Sequence, residues 1–437
     1  MKVLFASQAI EGHFNPMTGV AMRLKEHGHD VRWYTGPVFR DKLHGLGIPL
    51  FPFRRATEHR ADNLAELYPE RARLKGPRAI GFDGEKIFAS NVTSFFEDIR
   101  DLHRDFTFDV LVADSSMFIH RLVSHLLGKP VVNFVAIPNM ESDPQVPPLF
   151  FGFLPPRNPV QRALQAAAGL ISDKVILRPA GQSYRRQHAA FGQEVPRGGR
   201  LTDEPYRCSH ATIQTGPAQL DFPRRNVNPK VRYVGALLPY RLPGATAAAD
   251  AGAAGPGDGW PKGYSKTLVI TQGTVDNADQ DKLIIPALEA VKDMDALVIV
   301  ATGGRGTTAL QARYLQPNIL VRDYVDFAKV FDFTDAFITN GGFGGVQLSL
   351  SKGVPLVVSG INEGKSDVNA RVEYAGVGIN LRTEAPKPAD LAKAVETVLA
   401  DPGWKSRARS MQQELNTRDP ADAAAAVVES VLAPGAG

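Results

Sequence analysis

Phe337-Ile338-Thr339-Asn340-Gly341-Gly342-Phe343-Gly344-Gly345-Val346-Gln347 is the stretch on which the reading of this chain turns. Its apolar head reads as a strand, its glycines as a tight turn, and its tail as the start of a helix over Val346–Ser351. Lys352-Gly353-Val354-Pro355 then turns into a second apolar strand, Leu356–Val358. Glycines let a backbone approach a ligand closely, and a helix N-terminus offers unpaired N–H groups and positive partial charge to an anion. Under a cleft such a turn cradles a diphosphate. The same composition also builds turns that hold nothing, so its surroundings decide.

Those surroundings alternate short strands with helices. In the first half, Val3–Ser7, Asp30–Thr35, Asp109–Ala113 and Pro130–Val135 read as strands, with helices over Pro16–His27 and His120–Leu127. In the second half, Thr267–Thr271, Ala296–Ala301, Ile319–Val321, Ala336–Thr339 and Leu356–Val358 read as strands, with a helix over Gln280–Val291. Buried strands separated by helices predict parallel sheets covered on both faces, an α/β class. Between the halves, Pro243–Pro261 is alanine- and glycine-rich and reads as a linker. The expected division is 1–240, a linker over 241–262, a second doubly wound domain over 263–415, and a C-terminal helical segment over 416–437. Two such domains present the carboxyl ends of their strands to each other across a cleft.

Composition narrows the function. A chain of 437 residues, 43% hydrophobic and 22% charged, is an ordinary globular protein too long for one core. Its net charge of +4 is carried by no lysine or arginine block, which argues against nucleic acid. The single cysteine, Cys208, precludes an internal disulfide and a cysteine-built metal site. Met1-Lys2 runs directly into an apolar strand too short for a signal sequence, and no segment is long enough to span a bilayer, so a cytoplasmic protein is expected.

Five further pieces complete the pattern: Gly12-His13-Phe14-Asn15-Pro16, Gly28-His29-Asp30-Val31, Val231-Arg232-Tyr233-Val234-Gly235, Thr271-Gln272-Gly273-Thr274, and the stretch Asp323 to Leu381. In this order and spacing the chain resembles, over nearly its whole length, the GT-B nucleotide-sugar glycosyltransferases of family 1 type. Its later part is most similar to a bacterial or fungal branch acting on small lipophilic acceptors such as macrolides. The resemblance implies two Rossmann-like domains and transfer of a hexose from a nucleotide diphosphate sugar to an acceptor hydroxyl. UDP-sugar is the first choice of donor and dTDP-sugar the second; no resident cofactor is implied.

Carried onto this sequence, the resemblance makes His13 the base and Asp114 its carboxylate partner. An imidazole suits proton abstraction near neutral pH, and a carboxylate behind it fixes the tautomer. Asp114 also reads as a helix cap beside Ser115 and Ser116, and His13 as a turn residue. For the donor, the turn Asn340, Gly341, Gly342, Gly344 and Gly345 is expected to hold the diphosphate, helped by Thr274 and by Thr302 or Gly303. Tyr324 and Phe327 are the candidates near the base, Gln347 near the ribose, and Glu363 and Lys365 near the sugar or diphosphate. Three departures stand out: Asn340 replaces the family's phosphate-contacting histidine, apolar Leu348 replaces an acidic residue, and no histidine follows His210. No D-x-D motif sits where a metal diphosphate site needs one, so a metal-independent reaction is expected, and the resemblance, with His13 and Asp114 in family order, implies an inverting one. Two alternatives remain open: a sugar-nucleotide epimerase of the same fold, and a non-catalytic subunit descended from a transferase.

Overall fold

The computed structural model describes residues 1–60, 62–196, 198–240, 260–273, 277–362 and 364–432. Thr274, Glu363 and nearly all of the expected linker lie outside the described residues. Two sheets organise the rest. The first holds β1 (Lys2–Ala6), β2 (Asp30–Thr35), β3 (Leu50–Pro52), β4 (Val110–Asp114), β5 (Val131–Val135), β6 (Ala211–Thr215) and β7 (Val231–Gly235), in the order 3-2-1-4-5-6-7. The second holds β8 (Lys266–Thr271), β9 (Ala296–Ala301), β10 (Ile319–Arg322), β11 (Ala336–Thr339), β12 (Leu356–Val358) and β13 (Gly378–Asn380), in the order 10-9-8-11-12-13. Every pair among these strands is parallel.

Both faces of each sheet are buried, which is why the strands read as unbroken apolar runs. Alternate side chains feed opposite cores, as the two-residue period of a strand requires. Val3, Phe5, Val110, Val112, Val132 and Phe134 enter one core, while Leu4, Ala6, Leu111, Ala113 and Val131 enter the other. The second sheet splits likewise, Val269, Ile299 and Phe337 against Ile270, Val300 and Ile338.

Two helices begin earlier than their sequences suggest, and both shifts matter for the site. The helix expected from Pro16 starts at Glu11 and carries Pro16 inside it. Proline lacks only the N–H that would have reached the Gly12 carbonyl, and its fixed φ suits a helix. His13 therefore sits in the first turn of this helix, with its N–H bonded to the Ile10 carbonyl at 3.0 Å. The helix expected from Val346 starts at Phe343, with Gly342 as its cap, so Gly344 and Gly345 belong to its first turn. The stretch read as one helix over Gln280–Val291 divides into a short turn, Gln280–Lys282, and a helix, Ile284–Val291.

The helix Pro420–Ser430 lies on the first sheet's side of the molecule. It buries Ala424, Ala425 and Val428 in the core that contains Val20 and Leu24, and Arg23 pairs with Asp419 and Asp422 at 3.3 and 3.0 Å.

Candidate active site

In a doubly wound sheet the strand order reverses at one point, and the loops leaving the two strands there diverge and open a crevice. In the first sheet the reversal falls between β1 and β4, in the second between β8 and β11. His13 follows β1 and Asp114 ends β4; Gln272 and Gly273 follow β8, and the glycine turn follows β11. The residues singled out in the sequence thus lie at the two points where topology makes room.

His13 Nδ1 lies 2.9 Å from Asp114 Oδ2 and 3.1 Å from Oδ1. The carboxylate is buried and also accepts from the Ser116 N–H at 3.0 Å, the Ser116 hydroxyl at 2.9 Å and the Gln8 N–H at 3.4 Å. Asp114 caps the turn Ser115–Met117 and also meets His13. Its donors leave the carboxylate no freedom to rotate, and the imidazole inherits that orientation. Burial acts to lower the His13 pKa, but the charge of Asp114 and their hydrogen bond outweigh it and raise the pKa above 6.5. Asp114 is depressed: burial pushes upward, and His13 and Ser116 pull further down. With Nδ1–H donated to Asp114, the lone pair is on Nε2, to which no described residue is hydrogen-bonded. Phe88, whose ring centroid is 6.3 Å from that of His13, supplies an apolar neighbour.

At the second reversal, Gly341 adopts φ +90°, and a Cβ there would lie 1.8 Å from Asn369 Oδ1, so only glycine fits. Gly342 and Gly344 are exposed and have open space where a side chain would be. No side chain covers the backbone at Gly342 and Gly344, where the nine-residue helix Phe343–Ser351 begins and its first N–H groups have no partner within the helix. Asn340 is buried and works inward: its amide donates to the Gln272 carbonyl, and its own carbonyl accepts from Asn369 at 3.4 Å. The side chain that replaces the expected histidine thus joins the two diverging loops. Lys365, the first residue of the helix Lys365–Tyr374, packs its chain against Gly360 beside the Asn340 carbonyl.

The other donor candidates divide. Thr302 is buried, its hydroxyl bonded to Thr307 at 2.6 Å, while Gly303 continues the loop at φ +70°. Tyr324 is 44% exposed and donates its hydroxyl to the Gly303 carbonyl at 3.3 Å. Phe327, expected to stack on a base, is half-buried and packs against Phe331 and Phe337, at 5.4 and 6.1 Å between centroids. Tyr324 is the open ring of the two. Gln347 is buried and donates to Thr215 of the first sheet at 3.3 Å, and Leu348 packs on the core.

Sequence reasoning missed the contacts that join the two sheets' domains. Asp367, buried, accepts the N–H groups of Phe150 and Gly152 at 2.7 and 3.1 Å. One turn on, buried Arg371 bonds Asp221 at 3.0 Å and donates to the Asn139 carbonyl at 3.4 Å. The available signal was charge at i and i+4, Asp367 and Arg371, directly beside the apolar pair Val368 and Val372 that the helix buries in its own core.

The geometry is matched by kinship. A family model for the C-terminal domain of erythromycin biosynthesis protein CIII-like proteins matches residues 286–431. The chain is 30% identical over 431 residues to 4'-demethylrebeccamycin synthase of Lentzea aerocolonigenes, covering 99% of each chain. The chain belongs to the family 1-type glycosyltransferases. It is 26% identical over 447 residues to UDP-glycosyltransferase 2 of Phaeomoniella chlamydospora, covering 95% of this transferase and 92% of that one. The solved structure of CalG4, the calicheamicin glycosyltransferase, superposes with a TM-score of 0.76 at 20% identity, covering 100% and 99% of the two chains. That likeness shows the GT-B fold, and the relatives support a glycosyltransferase.

Proposed function

We propose that this transferase moves a hexose from a nucleotide diphosphate sugar, UDP-sugar first and dTDP-sugar second, to a hydroxyl of a small lipophilic acceptor, with inversion at the anomeric carbon. The His13–Asp114 pair carries this reading. A raised-pKa imidazole, fixed by a buried carboxylate through Nδ1, keeps Nε2 for the acceptor proton. The acceptor oxygen attacks the anomeric carbon as the bond to the diphosphate breaks; the proton goes to Nε2 and the electron pair to the departing diphosphate. Asp114 stabilises the imidazolium that results.

The leaving group is received by the open N–H groups of Gly342 to Gly345 and the positive end of their helix, without need of a metal. Tyr324 flanks the base. Thr274 and Glu363 belong to this reading by resemblance alone. The names of the relatives support a nucleotide-sugar donor and a natural-product acceptor, and the second relative's name favours uridine.

The test is His13→Ala, measured with UDP-sugar and dTDP-sugar against a panel of alcohol acceptors by mass spectrometry. A general base contributes about 10²–10⁴ in rate, and a loss of that order is expected. Turnover by the variant within a few-fold of wild type would remove His13 from the chemistry. Thermal stabilisation by uridine diphosphate and not by thymidine diphosphate would fix the donor as a UDP-sugar, and the reverse would make dTDP-sugar the first choice.

A further inference from the structure

At the end of the first sheet opposite the cleft, one group of three metal-ligating side chains converges among the described residues. His27 closes the helix Glu11–Glu26, His29 leads into β2, and Glu429 is in the last turn of the helix Pro420–Ser430. Glu429 Oε1 is 2.8 Å from His27 Nδ1 and 2.9 Å from His29 Nε2, and the three atoms lie within 4.8 Å of one another. The two imidazole rings stand nearly edge to face, 6.5 Å between centroids, so their nitrogens approach a common point from different directions.

We propose that this cluster binds a divalent transition metal, zinc foremost, and that the ion clips the C-terminal helix to the first domain. Two imidazole nitrogens and one carboxylate oxygen form a donor set suited to zinc, with water in the fourth position. Bonds of about 2.0–2.2 Å from a tetrahedral ion require ligand atoms somewhat farther apart than the 2.8 and 2.9 Å found between them. The two separations from Glu429 need to open by only a fraction of an ångström, and none of the three is fully buried: His27, His29 and Glu429 are 39%, 15% and 35% exposed.

Ligation uses the lone pairs of His27 Nδ1 and His29 Nε2, the two nitrogens that face the carboxylate, with each neutral ring carrying its proton on the other nitrogen.

The benefit follows from chain separation. Glu429 is 402 residues from His27 and 400 from His29, and its helix seals the core containing Val20 and Leu24. An ion bound only by the folded arrangement stabilises it by mass action. The site is remote from His13, so it is structural and not part of the transfer chemistry.

The test uses the full chain without a histidine tag, stripped with a chelator and titrated with zinc chloride by calorimetry and thermal unfolding. One zinc per chain, with a rise in Tm, is expected for wild type. His27→Gln and Glu429→Gln should each weaken binding by about tenfold or more and remove the rise. Absence of zinc uptake by wild type would overturn the proposal. So would uptake and a Tm rise unchanged in both variants, which would place the ion on other histidines. If Glu429→Gln fails to fold, His27→Gln, at an exposed position, decides alone.

Discussion

Asp114→Asn isolates the charge of the carboxylate from its shape. The asparagine oxygen can keep the Ser116 N–H, and the Ser116 hydroxyl can turn to accept from the new amide. The Gln8 N–H, already long at 3.4 Å, meets a donor and is the small structural cost. His13 loses its charge-assisted partner at 2.9 Å. Such a bond contributes about 1.5–3 kcal/mol, and its value is greatest when the imidazolium forms in the transition state. Each 1.36 kcal/mol is about tenfold in rate, so kcat/KM should fall by about 10- to 150-fold. The pH profile gives an independent sign. In wild type, transfer requires neutral His13, so the acid limb has its midpoint above 6.5, where Asp114 holds the imidazole. Without the carboxylate, burial is left to lower the pKa, and the midpoint moves to lower pH. The assay is kcat/KM for an alcohol acceptor at saturating donor from about pH 5 to 9, the range over which histidine titrates. A rate within twofold of wild type, or a midpoint that stays put or moves up, would refute the pairing. The pair's contribution to stability has a window as well. The raised His13 share is lost as pH rises through its folded pKa, and the depressed Asp114 share is lost as pH falls through its own.

Other substitutions separate the donor site from the scaffold. Gly341→Ala, at φ +90° and with its Cβ driven onto Asn369, should lower Tm and abolish transfer; a normal Tm would show that the turn tolerates a side chain. Gly344→Ala, with open space at its Cβ, should leave Tm unchanged yet weaken uridine diphosphate in calorimetry, and unchanged affinity would place the diphosphate elsewhere. Tyr324→Ala should weaken the nucleotide by about tenfold or more, since stacking on a base contributes about 1–3 kcal/mol, and equal affinity would remove the ring from the base site. Arg371→Met leaves buried Asp221 with one guanidinium, Arg224 at 3.1 Å, and the Tyr233 hydroxyl. It should cost about 3 kcal/mol, read as a lower urea midpoint. An unchanged midpoint would mean that the contact between domains adds nothing to stability.

The strands were legible because parallel sheets buried on both faces write themselves as apolar runs. Asp30–Thr35, Ala296–Ala301, Ala336–Thr339 and Leu356–Val358 have the same bounds in sequence and structure. Helix starts were less legible where proline and glycine intervene. Pro16 reads as an opening residue, yet the chain has already turned helical at Glu11. Gly344 and Gly345 read as turn, yet they form the first helical turn, because helix N–H groups there need no internal partner. Local propensity points the wrong way at both sites, and both lie where the strand order of a sheet reverses.

The site's two poles were legible through chain order, but the direction of each side chain was not. Sequence places Asn340 beside a diphosphate cradle; only the fold shows its amide turned to the Gln272 carbonyl, holding the β8 and β11 loops at the reversal point. Phe327 and Tyr324 are near neighbours in sequence and equally aromatic, and only the fold shows one half-buried against the core and the other exposed. The same holds for Asp367 and Arg371, whose partners lie far away in the chain, beyond any local pattern. These long-range polar contacts carry a mechanical consequence. The helix that bears them begins at Lys365, beside the Asn340 carbonyl, and its polar side chains grip the first domain through Phe150, Gly152, Asn139 and Asp221. A ligand that moved this helix at its N-terminus would therefore act on the first domain through the same rigid element, by way of the residues that sequence reading passed over.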